Sequence, residues 1–175
     1  MHKIASRRGP AVQRSRAHLS VTHAARTAVP GDGAEIHALV DAFADDGLLL
    51  RRSLRDIETA ISDFVVVVDR HDRVQACAAL FEYSPSLAEV GAVAVSRSAQ
   101  GTGLGSMAVR SVEAMARRRG VRELFALSLA DRFFESLAFE PAPLASFPEK
   151  VARYEALAAR GVRVTPKSCF RKHLA

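Results

Sequence analysis

The stretch Gln100-Gly101-Thr102-Gly103-Leu104-Gly105-Ser106 sits between an apolar strand pattern, Val90 to Val95, and an amphipathic helix pattern beginning near Leu104. Three glycines in five residues leave backbone amides uncovered, and the following helix adds its own unpaired amides and positive dipole end. Such a junction is an anion site, best suited to phosphate. Glycines at positions 1, 3 and 5 do not fit the dinucleotide fingerprint, and no Gly-Lys-Ser/Thr closes the stretch, so both common nucleotide motifs are set aside.

Outward from the loop, the chain alternates strand and helix signals. A strand is expected over His18 to Thr27, followed by a turn at Pro30-Gly31-Asp32-Gly33. Asp32 and Glu35 have the spacing of a capping box for a helix burying Ile36, Leu39, Val40 and Phe43 and ending at Gly47. Ser53 with Asp56 caps a second helix, burying Leu54, Ile57 and Ile61. Phe64 to Val68, Val74 to Phe81 and Ala88 to Val95 read as an antiparallel meander. The helix from Leu104 ends at Arg117-Arg118-Arg119-Gly120, a basic end favourable to the dipole. A strand over Leu124 to Ser128, joined by a right-handed crossover, is parallel to its predecessor. A short helix over Asp131 to Leu137 and a strand from Phe139 come next. A helix within Phe147 to Arg160 and a strand over Lys167 to Leu174 close the chain. The predicted class is α+β, with a mixed, mainly antiparallel sheet of six to seven strands, splayed beside the glycine loop and flanked by about four helices.

Length and composition bound the function. One domain is expected from 175 residues. Two cysteines, Cys77 and Cys169, make neither a disulfide framework nor a metal cluster, and the scattered histidines are not spaced as ligands. No metal is expected. No apolar run reaches the roughly 18 residues a membrane helix needs, so a cytoplasmic protein is expected. The net charge of +6 comes from the head: residues 1 to 31 carry six cations and no acid. Residues 1–17 are read as a basic, disordered extension and 18–175 as the domain. A transit peptide or a nucleic-acid arm is the other reading of that head, the latter weakened by the lack of aromatics among its arginines.

Val93-Ala94-Val95 followed by Gln100-x-x-Gly103-x-Gly105 resembles the pyrophosphate loop of the GNAT N-acetyltransferase superfamily, whose members use acetyl-coenzyme A. Phe133-Phe134-Glu135-Ser136-Leu137-Ala138-Phe139 resembles that superfamily's Phe-Tyr-x-x-x-Gly-Phe segment. Within it, Gly47-Leu48-Leu49-Leu50-Arg51-Arg52-Ser53, Cys77-Ala78-Ala79-Leu80, Leu87-Ala88-Glu89-Val90, Leu124 to Ser128 and Phe147-Pro148-Glu149-Lys150 are similar, in order, to segments of amino-acid N-acetyltransferases, specifically the acetyltransferase domain of N-acetylglutamate synthases. The short, free-standing type is the expected match.

The resemblance implies roles. Gln100, Gly101, Thr102, Gly103, Leu104, Gly105 and Ser106 would hold the coenzyme diphosphate, and Val93, Val95 and Phe134 would line its path, with free amides near Val93 facing the thioester carbonyl. An acceptor ammonium must lose a proton before it attacks. Glu89 corresponds to the family's glutamate for that step; on composition alone it is equally a solvated strand-edge residue. Phe134 occupies the place of a Tyr that protonates the leaving thiolate elsewhere in the superfamily, and cannot do so. Ser128 corresponds to a Ser/Thr that meets substrate or thiolate, or else simply ends its strand. Ala138 replaces the usual Gly, which puts a tight turn there in question. A dicarboxylate acceptor calls for cationic clamps, and Arg51, Arg52, Lys150 and Lys167 are the candidates, each otherwise a surface charge. The expected activity is direct transfer in a ternary complex to an amino acid, L-glutamate first, opening arginine biosynthesis. Another small amine or a protein N-terminus, and an inactive coenzyme-binding module, are the alternatives. A homodimer is compatible with this reading, and nucleic acid and membrane are not expected partners.

Overall fold

The computed structural model describes residues 23–175. The basic extension 1–17 and the first residues of the expected strand from His18 lie outside them. Among the described residues, seven strands form one sheet in the order β1-β2-β3-β4-β5-β7-β6: β1 Ala24–Thr27, β2 Phe64–Val68, β3 Val74–Ser84, β4 Leu87–Val95, β5 Glu123–Ser128, β6 Glu140–Pro141 and β7 Ser168–His173. Every neighbouring pair is antiparallel except β4 with β5. Five α-helices are present among the described residues: α1 Gly33–Asp45, α2 Leu54–Thr59, α3 Leu104–Arg118, α4 Asp131–Ser136 and α5 Pro148–Ala159.

The run Phe64 to Val68 is apolar throughout because helices cover both faces of the sheet. Val65 and Val67 join α3 residues such as Ala108, Val112 and Met115 in one core. Phe64, Val66 and Val68 pack with Ile36, Val40 and Ile57 of α1 and α2 in the other. A third, smaller core stacks Phe147 on Phe125 beside Cys169 and seats the start of α5 on β5.

Local signals held where the capping chemistry had no competitor. Ser53 Oγ accepts from Asp56 N at 3.1 Å, and Asp56 accepts from Ser53 N, as the box requires. Gly47, at φ 72°, ends α1, with Leu48 N donating back to Phe43. The box expected at Asp32 and Glu35 does not form. Asp32 instead accepts from Val29 N at 2.7 Å and from Arg26, while Glu35 reaches across to Val74 N at 2.8 Å. An arginine and an orphan strand amide outbid the helix's own first turn for these carboxylates. Leu54, expected in the core, is 38% exposed, because α2 is short and inserts only Ile57.

Candidate active site

The sheet opens where its strands run parallel. β4 and β5 pair only over Leu87–Glu89 with Glu123–Phe125; beyond that they diverge. A bulge drives the divergence. Between Cys77/Ala94 and Ala79/Gly91, β4 carries one residue more than β3, and Ala92 takes φ 49°. A left-handed alanine costs about 1–2 kcal/mol, and such strain persists where the surroundings impose it. The opening is a slot of about 260 Å³ lined by Val90 to Val93, Leu127 to Ala130, Phe43 and Phe134.

At one end of the slot lies the glycine loop. Gly101 and Gly103 have φ of 74° and 88°, which β-carbons resist, and Thr102 Oγ1 donates to Ala99 O at 2.5 Å, pinning the turn. The first intrahelical bond is Met107 N to Gly103 O, so the amides of Leu104, Gly105 and Ser106 are left for an outside acceptor. Gly103 is the N-cap and offers no side chain to them. A Cβ on Gly105 would lie 3.3 Å from Val95 Cγ2 and 3.4 Å from the Phe133 ring, which keeps the helix start bare and close to β4. The adjoining cavity of about 300 Å³ is lined by Val95, Gln100 and the three glycines. A diphosphate fits this cradle of amides at a 15-residue helix's positive end. Between this cavity and Glu89, the slot runs beside β4 along Val90 to Val93.

Glu89 stands where β4 and β5 part. It is 7% exposed, and Lys150 Nζ donates to both its oxygens at 2.8 Å. Tyr83, two pleats back on β3, donates its hydroxyl to Oε2 at 3.0 Å. Burial, together with Arg153 and Arg52 nearby, lowers the Lys150 ammonium's pKa despite its partner. Burial and the carboxylate raise that of Tyr83, and burial with Glu89 pushes Tyr154 up to about 12. Arg52 lies over the Phe81 ring at 4.1 Å, its pKa lowered by desolvation and by Arg153, and among the described residues its guanidinium donates to no oxygen. Lys167 Nζ donates to Leu48 O at 2.6 Å and is lowered by burial and by Lys150. Arg52, Glu89, Lys150 and Lys167 line one cavity of about 40 Å³. It continues past Leu49, Leu50, Tyr154 and Lys167 into an outer chamber of about 520 Å³.

The residues singled out from sequence are thus divided. Gln100 to Ser106 and Val95 surround the loop cavity, apart from Thr102, which is spent on Ala99. Val93 and Ser128 line the slot, with Ser128 Oγ accepting from Ala130 N at 2.9 Å. Phe134 touches the slot but is 3% exposed and chiefly packs against Phe139 and Phe170. Arg51 pairs with Asp41 and Asp45 of α1, is 59% exposed, and lines the outer chamber rather than the Glu89 cavity. Lys150 lines the Glu89 cavity, its ammonium held by Glu89. The sequence reading missed Tyr83, Phe81 and Tyr154, whose place depends on the β3–β4 register and on where α5 docks.

Residues 35–139 match the family model described as the acetyltransferase (GNAT) family. An uncharacterized N-acetyltransferase of Chlorobaculum tepidum is 32% identical over 128 residues, 73% of this chain and 82% of that protein. An amino-acid acetyltransferase of Pectobacterium atrosepticum is 34% identical over 71% of this chain, which spans only 29% of that longer protein. The N-acetylglutamate synthase of Neisseria gonorrhoeae, solved with coenzyme A and N-acetyl-glutamate, superposes with a TM-score of 0.76. It is 28% identical, over 88% of this chain and 35% of that one. A Mycobacterium tuberculosis protein solved with CoA gives the same TM-score at 25% identity, over 87% of this chain and 99% of that one.

Proposed function

The chain belongs to the acetyltransferase (GNAT) family, whose donor is acetyl-coenzyme A, and from that premise we propose that it acetylates the α-amino group of a dicarboxylic amino acid, L-glutamate. One observation carries the choice of acceptor: three cations, Arg52, Lys150 and Lys167, surround the single carboxylate of Glu89 at the inner end of the slot. The surplus of positive charge calls for an acceptor bringing two carboxylates with its ammonium. The Arg52 fork, lying over the Phe81 ring, suits one of them.

Acetyl-coenzyme A supplies the thioester. The amides of the loop and of the start of α3 hold its diphosphate, and the walls at Val90 to Val93 and Leu127 to Ala130 guide the acyl end to Glu89. Glu89 takes the proton from the acceptor ammonium, directly or through a water, and Lys150 and Tyr83 keep its carboxylate oriented. Ser128 stands on the opposite wall, within the slot, as the hydroxyl available to the departing thiolate. No acetyl-enzyme is needed: among the described residues, Cys77 and Cys169 are both buried and neither lines the slot.

The outer chamber supports a second reading, an acceptor whose body extends beyond a free amino acid, such as a peptide with an acidic N-terminal residue. Thiol release from acetyl-coenzyme A, measured with glutamate, aspartate, glutamine, lysine and a glutamyl dipeptide, separates the two. Glutamate is expected to give the highest kcat/KM, and Arg52→Ala to raise its KM tenfold or more. Preference for the dipeptide moves the assignment to the second reading, and preference for lysine overturns both.

A further inference from the structure

α1 ends against its own dipole. Asp45 and Asp46 stand at its carboxyl end with no basic residue in the last turn, a placement that raises the energy of each carboxylate. Cations from elsewhere offset it. Arg51 covers Asp45 and Asp41, while Arg97 reaches over from the coenzyme side, its Nη2 donating to Asp46 Oδ2 at 2.6 Å. Arg97 opens the short turn Arg97–Ala99 that feeds directly into Gln100, and it passes over the Phe43 ring at the slot's wall, 5.8 Å from the centroid. That turn is anchored on both sides: Ser96 N and Oγ donate to Gln75 at 2.8 and 3.0 Å, and Ala99 O takes the Thr102 hydroxyl. The backbone beside the loop is therefore fixed, and the long arginine side chain is the part free to turn.

Its present bond is weak. Arg97 and Asp46 are 69% and 44% exposed, and pairs this open contribute little. A diphosphate or a phosphate monoester carries more charge than one aspartate and offers a matching set of oxygens to the guanidinium fork. Taking the loop as the coenzyme's diphosphate cradle, we propose that Arg97 is a further coenzyme-phosphate ligand, shared with Asp46, which competes for it. Coenzyme draws the guanidinium from the aspartate and leaves Asp46 uncovered at the helix end, next to the 47–52 segment that carries Arg52.

The opposite signs of two substitutions test this. In calorimetric titrations of CoA, Arg97→Gln is expected to weaken binding about tenfold, the scale of one charge-assisted bond. Asp46→Asn, which removes the competitor, is expected to tighten binding about two- to five-fold, the range an exposed pair spans. In the double variant the Asp46→Asn gain disappears. Both residues are exposed, and circular dichroism and the melting temperature verify that each variant folds. Repeating the titrations with dephospho-CoA, which lacks the 3′-phosphate, identifies the phosphate: loss of the Arg97 effect assigns the 3′-phosphate, and its retention the diphosphate. Weakening by both substitutions, or no change with Arg97→Gln, overturns the proposal. Wild-type protein taking no heat from CoA overturns the coenzyme reading of the loop instead.

Discussion

Glu89 and Lys150 are 61 positions apart in the chain, yet their charged groups share one buried contact with Tyr83. Glu89→Gln is expected to lower kcat/KM about 10²- to 10⁴-fold, the usual contribution of a positioned base, while CoA affinity measured by titration stays at the wild-type value. Lys150→Met leaves a buried carboxylate without its counter-charge and is expected to cost about 3–5 kcal/mol in urea unfolding. Gly91 sets the other half of the site. A Cβ there would lie 2.8 Å from the Phe81 ring, on which Arg52 rests, so Gly91→Ala must displace both. Glutamate KM is expected to rise about five- to tenfold; an unchanged KM would break the link between Phe81 and acceptor binding. Glu89 and Arg52 were legible only through the resemblance, and Tyr83, Phe81 and the pairing of Lys150 were not legible at all. Their roles come from strand register and helix docking, which no local pattern encodes.

At the scale of elements, the turn after α4 shows a propensity overruled. Ala138 stands where glycine is usual, yet Phe139 N still donates to Phe134 O at 3.1 Å, closing the turn with Ala138 at φ 61°. Burial of Phe134, Leu137 and Phe139 in the main core holds the strained residue in place. Relief of left-handed strain exceeds glycine's added chain entropy by about 1 kcal/mol. Ala138→Gly is therefore expected to raise Tm by about 2–4 °C without altering turnover, as a thermal melt would show. The strands and the long helices were readable because their apolar periods match their burial. The capping box at Asp32 and the burial of Leu54 were not, since the first depended on which neighbour reached the carboxylate and the second on how short α2 is.

Across the molecule, burial silences both thiols. It pushes Cys77 up to about 12 and Cys169 up to about 11, leaving about one in ten thousand and one in a thousand as thiolate at pH 8. Ellman's reagent is expected to react only at the rate of unfolding, and prompt labelling of either thiol would contradict the packing described. Arg26, bonded to Asp32, holds that buried carboxylate below its ordinary value of 3.8. Because the folded-state value is the lower one, the stabilisation is complete above the unfolded value and is lost as pH falls through the folded one. Asp32→Asn should therefore lower the urea midpoint at pH 7, and by progressively less as the pH is taken down through the folded-state value. The sequence by itself determined the element order and the glycine loop with its bare amides, because period, turn residues and unpaired amides are local properties of the chain. Only the tertiary structure decided which charges meet: it turned Arg51 onto α1, gave Lys150 to Glu89 and left Arg52 facing the cleft. Pairing in a buried cleft is settled by distances between residues that the sequence keeps far apart.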